Sequence, residues 1–288
     1  MSLLTNFPDL LFGLGLAAVT PGQAQQQAHP IRDDAAALVQ AARQQCNPDA
    51  PALRTQPRLS EAARRLSRGV PLQTALDDSD YRARRSFQWT FKGYASPDAV
   101  AQALQQKHCS TLGNPELLDV GLQRNGNSYW LVAAAPFDPP AQGAAGAVAA
   151  RVLTLVNQAR TQPRRCGSQA FGAAPSLSLN EVLTRAAATH AESMARYGYM
   201  EHRGRDGSSP ADRASRVGYD WRSIGENIAM GQTTPEKVMQ DWLHSPEHCA
   251  NIMEPRFTEM GLAYAVNKGS EGGIYWAQAF GLPKRATR

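Results

Sequence analysis

Two histidines and a glutamate in the second half of the chain stand in surroundings that do not otherwise call for polar side chains. His202 follows an aromatic turn, Glu226 lies between a glycine and an apolar run, and His248 falls in the first turn of a short predicted helix. Two imidazoles and a carboxylate gathered in one cleft could bind a divalent metal ion or transfer protons. They could equally form a hydrogen-bonded lock, because buried polar groups need partners.

If these side chains hold a metal ion, His202 and His248 are the candidate ligands. Either Glu226 or Asp206 would then orient an imidazole ring or a bound water. Zinc tolerates ligation by two histidines and a carboxylate, so zinc is the candidate cofactor. A hydrolase would use a metal-bound water or Glu226 as its base. Because the chain has no GxSxG or HExxH motif, no catalytic residue is assigned.

The segments around these residues read as helices followed by a β-hairpin. A hydroxyl residue directly before proline marks the start of three helices, at Ser209, Thr234 and Ser245. Alternating apolar residues predict two strands over 260–266 and 274–280. This order favours a layered α+β fold over a doubly wound parallel sheet. His190 lies on the apolar stripe of an earlier helix, so we interpret it as a hydrogen-bonded core residue.

The order of these signals occurs twice in the chain. The clearest match is HCSTLGNPELLDVGL against HCANIMEPRFTEMGL, and each half then ends in Tyr-Trp. Such an ordered set of matches indicates tandem duplication. The first copy has no histidine corresponding to His202 and aligns Trp89 with Glu226, so we expect it to be degenerate. The predicted boundaries are 30–136 for the first copy, 137–147 for a Pro-, Gly- and Ala-rich linker, and 148–283 for the second copy.

The cysteines and the N-terminal segment predict export to the periplasm or outside the cell. None of the four cysteines lies in a CxxC pair. Because each predicted half holds two of them, the favoured disulfides are Cys46–Cys109 and Cys166–Cys249, which persist in an oxidising compartment. An apolar run at 10–19 predicts a signal peptide over residues 1–25. That run is too short to span a bilayer, so we expect no transmembrane segment in the mature chain.

The charge distribution argues against a nucleic-acid partner. The formal net charge is +5, from 30 basic and 25 acidic residues, and the excess is scattered along the chain. No basic stripe with interleaved aromatic residues is present, whereas such a stripe is typical of nucleic-acid-binding proteins.

The second copy resembles the bacterial branch of the CAP superfamily, also called SCP/PR-1-like. The resemblance rests on six motifs in the same order, HAESMA, YGYMEH, DGSSPADRASRVGY, GENIAMG, WLHSPEHCANIM and YWAQAFG. It implies an α–β–α sandwich with a cavity lined by histidine and acidic residues, usually in a secreted protein. The first half looks like a degenerate copy of the same domain.

The resemblance also assigns candidate cavity residues. His202 and Glu226 match the first histidine of the family and the glutamate of its GEN motif. Bacterial members are similar to this chain in carrying His248 on an SPxH turn, and Asp206 is the remaining candidate acid. Two further positions of the eukaryotic pattern, a glutamate and a second histidine, are not matched here.

These observations predict an exported protein with two CAP-like domains, of which the second keeps the polar cavity. The expected function is binding of a metal ion, lipid, glycan or protein partner at the cell envelope or outside the cell. The alternative is a metal-dependent hydrolase or protease that uses His202, Glu226 and His248. The residues leave open whether the protein is an enzyme.

Overall fold

A computed structural model describes residues 35–284, and the predicted signal peptide lies outside this range. The described residues form two β-sheets that follow one another along the chain. The elements of the N-terminal half are α1 (Ala35–Cys46), β1 (Arg54–Thr55), α2 (Pro57–Leu66), α3 (Leu72–Asp78), β2 (Ala83–Lys92), α4 (Pro97–Leu112), β3 (Asp119–Asn125) and β4 (Ser128–Pro136).

The C-terminal half begins with a short 3-10 turn over Gln142–Ala144, inside the predicted linker. Its elements are α5 (Ala145–Arg160), β5 (Arg164–Cys166), β6 (Gln169–Phe171), β7 (Ser178–Leu179), α6 (Glu181–Tyr197), α7 (Pro210–Arg216), β8 (Trp221–Met230), α8 (Pro235–His244), α9 (Pro246–Met253), β9 (Glu259–Val266) and β10 (Ile274–Pro283). The predicted hairpin is confirmed as β9 and β10, and all three predicted helix starts coincide with helices.

The C-terminal sheet is a layer between two groups of helices. Its strand order is β7-β9-β10-β8, which leaves β8 at one edge. One face packs its apolar side chains against α5, α8 and α9, and the other packs against α6 and α7. Strands β5 and β6 form a separate two-stranded ribbon. The candidate site residue Glu226 therefore lies on an edge strand with helices on both sides.

The N-terminal sheet has the order β1-β3-β4-β2, with β1 parallel to β3 and the other pairs antiparallel. Helices α1 and α4 cover one face, and α2 and α3 cover the other. This arrangement confirms the predicted α+β class. No helix in residues 35–284 is long and apolar enough to cross a membrane.

Each half contains one disulfide, in the pairing that the division into halves predicts. Cys46 at the end of α1 is bonded to Cys109 in α4, and Cys166 in β5 is bonded to Cys249 in α9. The second bridge ties the β5–β6 ribbon to the helix that carries His248. All four cysteines of the chain are thereby paired.

A glycine in each sheet allows a helix backbone to approach closely. A Cβ atom on Gly261 would lie 2.2 Å from the carbonyl carbon of Leu183 in α6. A Cβ atom on Gly121 would lie 2.1 Å from the carbonyl carbon of Leu59 in α2. Only glycine fits these positions without displacing the helix, since interiors are close-packed.

We expect Gly261→Ala to destabilise the fold by about 3 kcal/mol, because the new methyl group overlaps the α6 backbone. Gly146→Ala is the control, since Gly146 lies in α5 with no atom within 4 Å of its added Cβ. That substitution should stabilise by about 0.5 kcal/mol through helix propensity. Urea unfolding of both variants measures the difference, and equal midpoints would contradict the predicted clash.

The two close-packed glycines also provide a common reference for the two sheets. We followed the paired residues from the strand that carries each glycine, across the central neighbour, to the edge strand. Gly121 on β3 is then in line with Gln88 on β2, and Gly261 on β9 is in line with Glu226 on β8. The residue in the place of Glu226 is therefore Gln88. Alignment of Trp89 with Glu226 is wrong by one residue, and one residue along a strand reverses the face to which a side chain points.

Candidate functional site

Glu226 is a buried carboxylate on the face of β8 that packs against α6 and α7. Neighbours two apart on a strand share a face, and Ile228 packs into the cluster formed with those helices. The adjacent Asn227 therefore faces the opposite layer, where α8 and α9 lie. The side chain of Glu226 is only 4% exposed, so its charge must be satisfied within the protein.

Arg213 and His202 satisfy that carboxylate. The Arg213 Nη2 atom on α7 donates to Glu226 Oε2 at 2.6 Å, and both side chains are equally buried. His202 Nδ1 lies 2.9 Å from Glu226 Oε1. Arg213 also donates to the carbonyl oxygens of Ser208 and His202. The loop that carries His202 is thus held by Glu226 through the His202 side chain and by Arg213 through the His202 backbone oxygen.

The contact with Glu226 determines the tautomer of His202. An ionised carboxylate can only accept hydrogen bonds, so Nδ1 of His202 carries a hydrogen and donates it. In the neutral ring Nε2 is then the acceptor, and it has no hydrogen-bond partner among residues 35–284. The side chain of His202 is 52% exposed. Its free nitrogen is therefore available to a molecule in solution, while its ring is held in place.

His248 reaches the same region from the opposite layer. It lies on α9, and the backbone oxygen of His248 accepts a hydrogen bond from Asn227 Nδ2 at 3.2 Å. Asn251 completes the connection, because its Nδ2 donates to the Glu226 backbone oxygen and to Asn227 Oδ1. Burial lowers the pKa of His248, and the proximity of His202 lowers it further. His248 is therefore a neutral imidazole at pH 7.

Asp206 has a different environment from the other candidate residues. Its carboxylate accepts hydrogen bonds from the Ser208 backbone and hydroxyl groups and pairs with Arg216. These contacts hold the pKa of Asp206 well below its usual range, and the hydrogen bond from the Ser208 side chain has the largest effect. Asp206 therefore stabilises the turn that precedes α7.

The described residues do not provide a complete metal centre. Across residues 35–284, no three His, Cys, Asp or Glu side chains come together in a way that could hold a metal ion. Protein zinc sites use three or four protein ligands. His202 and His248 would supply two, and the oxygens of Glu226 are taken by Arg213 and His202.

Sequence reasoning did not find the arginine and the amides that support the site. Arg213 lies on a short helix whose capping box, formed by Ser209 and Asp212, was visible in the sequence. That capping box fixes the rotation of α7, which places Arg213 next to Ala214 on its buried side. Asn227 and Gln278 hydrogen-bond each other in the core, with their polar atoms 3.1 Å apart.

His190 is a core residue, as its position on the helix predicts. It is 1% exposed, and its Nε2 lies 2.8 Å from the Glu201 carbonyl oxygen. Because a carbonyl can only accept, Nε2 carries the hydrogen and Nδ1 is the acceptor. Burial lowers the pKa of His190; Arg213 and His202 lower it further, while Glu226 and the hydrogen bond to Glu201 oppose the shift.

This pKa shift predicts a stability that falls in mild acid. A histidine that is neutral in the fold must take up a proton when the chain unfolds below its ordinary pKa of 6.5. The contribution of His190 is complete above pH 6.5 and declines as the pH falls toward its lower folded-state pKa. The expected slope is up to about 1.4 kcal/mol per pH unit.

Urea unfolding at pH 7.5 and pH 5.5 measures this effect in the wild type and in His190→Gln. The variant should show a smaller loss between the two pH values. His244→Gln is the control, because His244 is exposed and should leave the pH dependence unchanged. An identical pH dependence in the wild type and His190→Gln would contradict the prediction.

The comparisons with known proteins assign the C-terminal half to a family. The family model described as CAP, the cysteine-rich secretory protein family, matches residues 153–280. Residues 153–280 are a CAP domain. The match spans the sheet and helices of the C-terminal half, including His202, Glu226 and His248.

One curated relative of the CAP domain is the uncharacterized protein YkwD of Bacillus subtilis. The two are 36% identical over 104 residues, which are 36% of this chain and 38% of that protein. The similarity thus spans well under half of either protein.

Two solved structures are similar to this chain. Na-ASP-1 superposes with a TM-score of 0.52 at 10% identity, and the match covers 86% of this chain and 88% of that one. The likeness in fold thus extends beyond the CAP domain into the N-terminal half. An extracellular protein containing a SCP domain from Bacillus anthracis matches with a TM-score of 0.41 at 18% identity, over 57% of this chain and 56% of its own.

Proposed function

We propose that this protein is a binding protein that acts outside the cell, and that its CAP domain takes a polar ligand at His202 and His248. The observation that carries this proposal is the 2.9 Å contact between His202 Nδ1 and the buried Glu226. It fixes the ring and its tautomer and leaves Nε2 as an acceptor on a half-exposed side chain. A pre-oriented polar group at the surface lowers the entropy cost of binding.

Binding is better supported than hydrolysis. A general base must accept a proton from water or substrate within hydrogen-bond reach. Both oxygens of Glu226 already accept hydrogen bonds, from Arg213 and His202. A metal-bound water would need a third protein ligand, which residues 35–284 do not bring to the two histidines. The arrangement therefore serves to orient His202.

Zinc is the appropriate probe for the two imidazoles. Neutral histidine nitrogens are good zinc ligands, and the second imidazole is kept neutral by burial. Further ligands would have to come from water or from the bound molecule. We therefore propose that any zinc bound here is weakly held and exchangeable, and that the ligand donates a hydroxyl group to His202 Nε2, as a glycan of the cell envelope would.

Export is supported by the disulfides and the N-terminal sequence. Two disulfides join elements distant in the chain, and such bridges persist in oxidising compartments. The family that includes residues 153–280 is described as cysteine-rich secretory. We propose that the chain is exported by the apolar segment at its N-terminus and acts in the periplasm or beyond it.

We further propose that the N-terminal half is a copy of the CAP domain that has lost the site. The two sheets have corresponding strand orders. Tyr81 donates to Asp119 in the first half, and Tyr219 donates to Glu259 in the second. The uncharged Gln88 replaces the carboxylate, and Trp89 packs against His108. This half would then act as a scaffold for the CAP domain.

Nuclear magnetic resonance of the histidine rings tests the proposed site. We expect zinc chloride, and separately soluble fragments of bacterial cell-wall glycan, to shift the ring signals of His202 and His248. The signals of His190 and His244 should stay unchanged. His202→Ala should abolish both responses while near-ultraviolet circular dichroism reports an intact fold, and His244→Ala should preserve them. The proposal is wrong if neither probe shifts the two signals, or if His202→Ala still binds.

A further inference from the structure

A cavity lies beside Arg213, and neither His202 nor His248 belongs to its lining. It has a volume of about 610 Å³ and is enclosed by α6, the segment 204–208 and α7. We call it the α6–α7 pocket. Its lining includes His190 and four arginines, Arg196, Arg205, Arg213 and Arg216. Cavities of several hundred cubic ångströms accommodate small organic ligands.

The charges around the α6–α7 pocket do not cancel. Arg213 is paired with Glu226, and Arg216 is paired with Asp206. Arg196 and Arg205 form no ion pair within residues 35–284, and Glu192 is the remaining acid in the lining. The pocket therefore holds one positive charge more than the acids that surround it. An anionic group would complete the balance, and guanidinium groups suit carboxylates and phosphates in particular.

One wall of the pocket is formed by the aromatic side chain of Tyr197. The Arg205 guanidinium lies 4.7 Å from the centre of the Tyr197 ring, in a cation–π contact. Tyr197 is 53% exposed although it is a large aromatic residue. The Arg205 guanidinium thus covers one face of the Tyr197 ring, and this contact holds its positive charge at the wall of the pocket.

His190 adds a specific hydrogen-bonding requirement. Its Nε2 is committed to the Glu201 carbonyl oxygen, so its Nδ1 is an acceptor. Nδ1 is buried and has no partner among the described residues. A buried acceptor without a donor is costly, typically about 1–3 kcal/mol. A ligand with a hydroxyl group would supply the missing donor.

We propose that the α6–α7 pocket binds a small hydroxyl-bearing anion, with its carboxylate or phosphate on Arg196 and Arg205 and a hydroxyl group near His190. Sugar acids and polyol phosphates have this chemistry. The proposal is independent of ligand binding at His202, because His202, Glu226 and His248 are all absent from the lining of this pocket. Its failure would therefore leave the proposed function of His202 and His248 unaffected.

Calorimetric titration with four probes tests the ligand class. The probes are glucuronate, glycerol 3-phosphate, inorganic phosphate and uncharged glucose. We expect glucuronate, glycerol 3-phosphate or both to bind and to shift the ring signals of His190, with phosphate and glucose weaker. Tighter binding of glucuronate would identify the natural ligand as a sugar acid, and tighter binding of glycerol 3-phosphate would identify it as a polyol phosphate. Equal binding of inorganic phosphate would overturn the role of His190, and no binding by any probe would overturn the site.

Substitutions on exposed positions test the location. Arg196→Gln combined with Arg205→Gln should weaken binding about tenfold or more, since two charge-assisted contacts are lost. Arg185→Gln is the matched control, because Arg185 is an exposed arginine on the same helix outside the pocket lining. Equal weakening by Arg185→Gln would show attraction to general positive charge and would refute the proposed pocket.

Discussion

Replacing Glu226 with alanine is expected to destabilise the protein by about 3–5 kcal/mol, because it leaves the Arg213 guanidinium buried without its counter-ion. Arg213 is 4% exposed and reaches Glu226 at 2.6 Å. It cannot lose its charge, since an arginine stays protonated in proteins. Its two carbonyl contacts, to Ser208 and His202, persist but supply no negative charge.

Urea unfolding of Glu226→Ala measures this cost, with Glu236→Ala as the control. Glu236 pairs with Arg151 at a similar distance of 2.7 Å, but both side chains are about half exposed. An exposed pair of this kind is worth at most about 1 kcal/mol. If the two variants lose similar stability, Glu226 and Arg213 do not form the buried pair that the structure describes.

A second substitution of Glu226 distinguishes its contribution to stability from its contribution to ligand binding. In Glu226→Gln the side-chain oxygen can still accept from Arg213, so we expect a smaller loss of stability. The amide then faces His202 with hydrogens, which removes the acceptor that fixes Nδ1 as a donor. The free energy of ligand binding at His202 should therefore decrease by more than the free energy of unfolding. This contrast distinguishes an oriented binding residue from a purely structural lock.

The candidate residues could be selected from the sequence because each stands out within a short segment. His202, Glu226 and His248 are polar residues beside glycine, aromatic or helix-start signals, and all three lie in one region of the fold. Their relative placement could not be predicted in the same way. Glu226 faces α6 and α7, whereas His248 comes from the helix layer on the opposite face. Only the position of β8 at the sheet edge brings the two layers together at His202.

The strand register of the two halves could not be predicted from the matching segments of sequence. The Tyr-Trp pairs near the end of each half suggest one alignment, and the two close-packed glycines require another. In the paired strands, Tyr129 of the first half has the position that Trp276 has in the second half. The register therefore differs by one residue from the alignment of the two Tyr-Trp pairs. Local identity cannot detect such a slip, because the register depends on which backbone approaches which strand.

Buried arginines are the feature that sequence patterns conceal most completely, since arginine is ordinarily a surface residue. Arg160 at the end of α5 is fully buried. Its guanidinium donates to four carbonyl oxygens, those of Pro175, Ile252, Glu254 and Phe257. Arg43 at the end of α1 is equally buried but donates only to the Leu112 carbonyl, and its Nε and Nη2 have no partner within residues 35–284.

We expect Arg160→Met to cost on the order of 3–5 kcal/mol, because four carbonyl groups lose their common donor in a dry interior. Arg43→Met should change stability by less than about 1 kcal/mol, since an apolar chain of similar length replaces a poorly paired charge. Urea unfolding of the two variants gives the comparison directly. Equal losses would contradict the difference in hydrogen bonding between the two guanidinium groups.

The effect of Arg160→Met should extend to the candidate site. The Ile252 and Glu254 carbonyls mark the end of α9, which carries His248. Without Arg160, that end of α9 loses two hydrogen bonds and keeps those of Asn251 to β8. We therefore expect weaker zinc binding at His202 and His248 in Arg160→Met, with no change in Arg43→Met. The buried arginine would then act as a positioning residue whose influence reaches the ligand through α9.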